Sequence, residues 1–385
     1  MQRKGFLLSG AAALAGAAVP SAARAQFGHF NQQLTIAINV PLSGDRQGMG
    51  QEIASGVQGA IDQANLYAGS YSTLFTMRTF DDMDALAQAM VNVQFAASDA
   101  TVLAVIGGAD GKLLTAALPT YANNQMPLLV PGSTADSVTA QGYRNVWRLP
   151  TADSQEGQFY ARFLAKRKPQ PKFALAVTQD GDYGMDVARA FVDQAKSAGM
   201  HVDGYHFPID KPDYARAAKA ILTQSPDYIL LCGTTDDMGP LIPALRSGGY
   251  AGAFGGTEGF YNQTALQKYP DAFAQGFIST SFPPLDRAPD VLGALTNFRT
   301  RYRVTALSAF AYAAAQIVIT AARTGATNRL TMMSTLQRPT SYNTLVGSFQ
   351  FLPTGDPVDP NVYFYTIADG KFKFSAPAHA TSFVL

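Results

Sequence analysis

The sequence predicts an α/β fold of two lobes, each a parallel sheet covered by helices. Strand-like apolar runs alternate with runs of helical period along most of the 385 residues, the pattern of parallel sheets wrapped by crossover helices. The alternation halts near Trp147 and starts again at Phe173. Setting residues 1–25 aside as a leader leaves 360 residues, beyond the roughly 250 to 300 at which a single core splits into domains.

That leader, MQRKGFLLSGAAALAGAAVPSAARA, places Arg3 and Lys4 ahead of an Ala/Leu/Gly run and ends with Ala23 and Ala25 flanking Arg24. This is the layout of a signal peptide cut after an A-x-A site, which predicts export with Gln26 as the first mature residue. The single cysteine, Cys232, lies inside DYILLCG and far from the cleavage site, which argues against a lipid anchor and an internal disulfide. After the leader, no stretch reaches about 18 uninterrupted apolar residues. Loss of Arg3, Lys4 and Arg24 from 29 basic residues leaves 26 against 28 acidic ones, a balance that argues against nucleic acid as a partner.

In chain order, LTIAINV (34–40) reads as a strand, followed by a helix with Ile53, Val57, Ile61 and Ala64 on one face. LFTMRTF (74–80) is the next strand, and Leu86, Met90, Val93 and Ala97 repeat at helical spacing after it. VLAVIG (102–107), a helix and PLLVPG (127–132) complete the first series. The second series runs FALAVT (173–178), a helix over 183–198, HVDGYHF, a helix over 214–222, DYILLCG, a helix after Asp236, and GAFGG. GFISTSF (276–282), two helices (the second over 307–323), VGSFQF and NVYFYTI follow.

The stretch VLAVIGGADGKLL invites a phosphate-loop reading, but Ile106 stands where that motif needs glycine and Leu113 where it needs a hydroxyl. Catalytic readings fare no better. His201 and His206 point to opposite faces of one strand, His29 and His379 lie near the ends, and no G-x-S-x-G elbow occurs. Cys232, in a buried strand, reads as an inert core thiol. What remains is polar residues at the carboxyl ends of parallel strands, where open α/β sheets bind ligands: Asp110–Lys112, Ser133–Thr134, Gln179–Tyr183, Thr234–Asp237 and Glu258.

The segments LTIAINVPLSGDRQGMGQEIASGVQGAIDQAN, FDDMD, IGG, PLLVPGSTADSVTAQGYRNVWRLPTADSQEG, QDGDYGMD and FGGTEGFYN resemble, in order and spacing, successive landmarks of the leucine/isoleucine/valine-binding protein family, the type I periplasmic solute-binding proteins of ABC transporters. The resemblance implies two Rossmann-like lobes joined by three crossovers, with residues 26–147 plus 280–352 in the N-terminal lobe and 148–279 plus 353–385 in the C-terminal lobe. It also implies a periplasmic, non-enzymatic monomer without cofactor or metal. Such a protein captures an amino acid or related amine as its lobes close and delivers it to inner-membrane permease subunits. An amide, urea-like molecule or small aromatic acid is the alternative ligand, and a sensory module that reports ligand to a protein is the alternative role.

Carried onto this chain, the resemblance makes Thr134 a carboxylate-binding hydroxyl, Glu258 the ammonium partner and Tyr183 a cleft tyrosine. The expected ligand-contacting set is Met49, Asp110, Gly111, Gly132, Ser133, Thr134, Tyr183, Thr234 and Glu258. The pattern breaks at Gly111, where the family usually has a serine, and at Thr234, where a tyrosine is common. Asp110 either points inward and repels a ligand carboxylate or caps the following helix and faces away. In the first case the lip is rebuilt against branched-chain amino acids, and serine at 111 would restore leucine affinity.

Overall fold

The computed structural model describes residues 32–66, 73–179, 183–208, 212–284 and 294–379. The expected signal peptide lies outside the described residues, as do residues 180–182 of the QDGDYGMD landmark. The first sheet is parallel and ordered β2-β1-β3-β4-β5, from β1 (Gln32–Val40), β2 (Thr73–Asp81), β3 (Val102–Gly107), β4 (Leu128–Val130) and β5 (Val146–Arg148). β1 is buried from Leu34 to Val40 and β3 along its whole length, as apolar runs covered by helices on both faces must be. The helices of this half are α1 (Gln47–Leu66), α2 (Leu86–Ser98), α3 (Gly111–Asn123) and the short α4 (Ser137–Ala140).

The chain then leaves for a second sheet. α5 (Asp153–Ala165) packs Phe159, Tyr160 and Leu164 against Ala174, Ala176 and Phe191. Behind it run β6 (Ala174–Gln179), α6 (Met185–Ser197), β7 (Val202–Phe207), α7 (Tyr214–Thr223), β8 (Tyr228–Cys232), α8 (Thr235–Met238), α9 (Leu241–Ser247), β9 (Ala253–Gly256), α10 (Gln263–Lys268) and β10 (Ile278–Thr280). Cys232 is fully buried, in keeping with a core thiol. A second crossover leads to α11 (Ala294–Arg301), α12 (Ala306–Arg323), α13 (Arg329–Leu336) and the hairpin β11 (Tyr342–Thr344) with β12 (Gly347–Phe349). A third, pinned by the Phe351–Pro357 bridge, returns to β13 (Asn361–Ala368) and β14 (Lys371–His379). The second sheet is ordered β14-β13-β10-β9-β8-β6-β7, with β13 antiparallel to both neighbours. β14 is an addition to the strands read from sequence: KFKFSA mixes charges with aromatics on an edge strand.

α12 closes the first core from a distance in sequence of more than two hundred residues. By length and composition it could cross a membrane, yet 72% of it is buried inside the fold. It lies against α1, where a Cβ added to Gly56 would sit 2.1 Å from the Ser308 carbonyl oxygen. Only glycine permits that approach, and the alanines of α12 (Ala309, Ala311, Ala313, Ala314, Ala315) are small for the same reason.

Candidate ligand-binding site

Two turns form the first-lobe side. β3 ends in Gly107-Gly108, and Gly108 has φ +83°, a backbone conformation that favours glycine, with the Leu114 side chain packed over its Cα. The Ser133 N–H donates to the Gly108 carbonyl at 3.1 Å, tying the turn after β4 to the turn after β3. A Cβ at Gly132 would meet Leu307 Cδ1 at 3.1 Å, so this turn also lies against the start of α12. Met49 is exposed on the first turn of α1.

Asp110 takes the helix-capping alternative. Its Oδ1 accepts the Leu113 N–H at 2.7 Å as N-cap of α3, and its other oxygen pairs with the Arg46 guanidinium, which also reaches Asp84 at 3.4 Å. The charge expected to repel a carboxylate is thus committed to the cap and balanced by a cation. The lip at Gly111 also differs from expectation. A Cβ there would lie 2.8 Å from Ser133 Oγ and 2.8 Å from Ala135 Cβ, so the Ser133 hydroxyl already occupies the space a serine would need. Gly111→Ser is therefore expected to cost about 1–3 kcal/mol through overpacking and to bring no gain in leucine affinity. Urea unfolding and calorimetry on the variant check both; a stable variant that gains leucine binding would overturn this placement of Ser133.

The second-lobe side is built around acids. Glu258 opens a short 3₁₀ turn (Glu258–Phe260) after β9 and is half-buried. Its backbone N–H donates to Glu156 Oε1 at 2.9 Å, and the same oxygen accepts the Ser279 hydroxyl at 2.6 Å. The Glu258 carboxylate accepts the Ser281 hydroxyl at 3.2 Å and the Ser281 N–H at 3.4 Å. Tyr183 Oη accepts the Gly259 N–H at 2.9 Å and lies 3.4 Å from Thr257 Oγ1. Asp153, at the start of α5, is buried, and its N–H donates to the Thr134 carbonyl at 2.9 Å while the Thr134 side chain hydrogen-bonds its carboxyl. Thr134 thus joins the first lobe to the acids of the second. Thr234 does not join the cluster by its side chain: its Oγ1 accepts the Asp237 N–H at 3.2 Å and donates to Asp237 Oδ2 at 2.6 Å, capping α8.

Asp153, Glu156, Ser279 and Ser281 were not in the expected set. Two acids in a helix's first turn read as favourable partners of the helix dipole, and Ser279–Ser281 read as a strand. The available signal was the coincidence of both segments with lobe crossovers.

Burial raises all three carboxyls. Asp153 is pushed up to about 7, further by Asp136 and Glu258 and against the Thr134 hydrogen bond and Arg148. Glu156 is held well above the usual carboxylate range by burial and by the charge of Glu258. Glu258 is raised by burial, opposed by its bonds to Ser281 and Thr280. Burial and the same three acids also raise the Tyr183 phenol. A carboxyl whose folded pKa lies above its unfolded value gives stability that is fully present below the unfolded pKa and lost as pH rises through the folded one. Without ligand, the melting temperature is therefore expected to fall by several degrees as pH rises from about 4 through 7, and Asp153→Asn to flatten that slope. Melting curves across this range decide; a slope unchanged by Asp153→Asn would remove Asp153 as its source.

Arg148 supports the site from below. It is 1% exposed; its Nε and one Nη bind Asp356, that same Nη donates to Thr139 Oγ1 at 3.0 Å, and the other donates to the carbonyls of Thr134 (2.9 Å) and Ala135 (2.7 Å). Its donors are committed to holding the Thr134 turn.

Residues 33–371 match the family model described as periplasmic binding protein. A Leu/Ile/Val-binding protein of Citrobacter freundii is 25% identical over 263 residues, 68% of this chain and 70% of that one. The crystal structure of a leucine-binding protein from Thermotoga maritima superposes with TM-score 0.79 at 21% identity, covering 91% of this chain and 99% of that chain. A solute-binding protein of an ABC transporter from R. palustris, in complex with benzoate, superposes with TM-score 0.74 at 18% identity, covering 90% and 96%. At such identities the two structures speak for the fold alone. With a family match spanning nearly the whole described chain, and a two-lobed α/β fold around a polar cluster, the chain belongs to the periplasmic binding protein family, alongside the Leu/Ile/Val-binding proteins.

Proposed function

We propose that this protein is the exported solute-binding subunit of an ABC importer and that it captures an amine or amino acid through an ammonium group. The observation that carries the reading is Glu258, half-buried beside Glu156 and Tyr183 and bonded to the hydroxyl-rich end of β10. A fixed carboxylate of this kind suits an ammonium. On the other side, the backbone amides that open α3 suit an anionic end if the ligand has one. The lobes, 26–147 plus 280–352 and 148–279 plus 353–385, close about the three crossovers as a hinge, and the loaded form docks on membrane permease subunits. With Asp110 balanced by Arg46, selectivity against leucine, isoleucine and valine rests on the acidic cluster instead of on a repelling lip.

In keeping with a family of solute-binding proteins, the protein acts without catalysis, and it works as a periplasmic monomer after cleavage behind Ala25. Mass spectrometry of the periplasmic protein should find Gln26 at the N-terminus; a chain retaining residues 1–25, or carrying lipid, would contradict that part. A thermal-shift screen of amines, amino acids, amides and aromatic acids tests the ligand class. Stabilisation by compounds bearing an ammonium is expected, and stabilisation confined to benzoate-like acids or amides would refute it.

A further inference from the structure

Three carboxylates act on one another here, whereas one ammonium needs only one. Asp153 and Glu156 are 1% and 2% exposed, and Glu258 is half-buried. Glu156 feels Glu258 and Asp153, Asp153 feels Glu258 and Asp136, and Tyr183 and Cys232 feel both buried acids. Asp153 Oδ1 and Glu156 Oε2 are buried without a hydrogen-bond partner, a costly arrangement for acceptors that nothing donates to. The basic side chain that acts on Asp153 is Arg148, and its donors are committed to Asp356, Thr139 and two carbonyls. A zwitterionic amino acid would bring no net charge to this cluster. Among the described residues, no group of three or more His, Cys, Asp or Glu is placed to hold a metal ion, so a single point charge does not bridge these acids.

We propose that the ligand carries two cationic nitrogens on one chain, the first held by Glu258 and the second by the unpartnered oxygens of Asp153 and Glu156, so that the preferred class is an aliphatic diamine or amino-guanidine and not a branched-chain amino acid. The inference rests on the amine reading above and narrows it. Two nitrogens on one chain can each meet a different acid, and the charge they bring offsets the repulsion among the acids. The hydroxyl row Ser279–Ser281 already fills Glu156 Oε1 and one Glu258 oxygen, which leaves the unpartnered oxygens for the second nitrogen.

The test is calorimetry at pH 8 with butylamine, 1,4-diaminobutane, 4-aminobutylguanidine, leucine and benzoate, on the unmodified protein and on Asp153→Asn, Glu156→Gln and Glu258→Gln. On the unmodified protein the diamine or the amino-guanidine should bind at least about tenfold tighter than butylamine, the size of one charge-assisted contact. Asp153→Asn or Glu156→Gln should erase that advantage, the dications losing at least about tenfold more affinity than butylamine, whereas Glu258→Gln should weaken all the amines. Equal affinity for butylamine and both dications on the unmodified protein would overturn the dication inference and leave the amine reading standing. An advantage untouched by both Asp153→Asn and Glu156→Gln would overturn the assignment of those oxygens. Binding of leucine or benzoate with no binding of any amine, or no binding by any probe, would count against both.

Discussion

Glu258→Ala is expected to weaken an ammonium ligand by roughly thirty- to several-thousand-fold, because deleting one member of a buried charge pair costs about 2–5 kcal/mol. The loss should appear in the dissociation constant by calorimetry and leave the fold intact. Glu258 is half-buried, and its backbone N–H, which remains in the variant, continues to satisfy Glu156 Oε1. Removing its charge also relieves Glu156 and Tyr183, so the melting temperature without ligand should hold or rise. A variant that keeps full affinity would make Glu258 a structural residue. A variant that fails to fold would show that the Ser281 contacts matter more than the cleft.

Arg148→Met should destabilise the protein by about 3–5 kcal/mol, the range for breaking a buried ion pair by removing one partner. The variant strands Asp356, Thr139 Oγ1 and the carbonyls of Thr134 and Ala135 together. Asp356 is 20% exposed at its side chain, and water can recover part of its loss, so the lower half of the range is the better expectation. The site suffers too, because the turn that carries Thr134 loses the donors that fix it. Lysine would not substitute, since one ammonium cannot serve a carboxylate and two carbonyls in the plane that guanidinium spans. Urea unfolding gives the stability change; a midpoint within experimental error of the unmodified protein would mean the network contributes nothing net.

Much of the fold was legible because the sequence kept its periods. Continuous apolar runs such as Leu34–Val40 and Tyr228–Cys232 are buried along their length, and they sit between parallel neighbours in their sheets. β14 escaped notice because an edge strand tolerates charges such as Lys371 and Lys373 that blur its alternation. At the site, Thr134, Tyr183 and Glu258 could be named from strand ends. Their neighbours could not, for two physical reasons. Asp153 and Glu156 look like ordinary first-turn acids, and only tertiary packing removes them from water. Asp110 could have faced either way until its partner Arg46, 64 residues earlier, was in place. The Ser133 hydroxyl beside Gly111 is likewise a contact between two turns that no local pattern announces.

A crystal structure of the protein with its tightest-binding amine would test the cleft reading most directly. The ligand's ammonium should lie in hydrogen-bond contact with the Glu258 carboxylate beside Tyr183, with further contacts from the Ser133–Thr134 turn of the other lobe. A ligand held by one lobe alone, or bound with Glu258 making no contact to a cationic nitrogen, would contradict it.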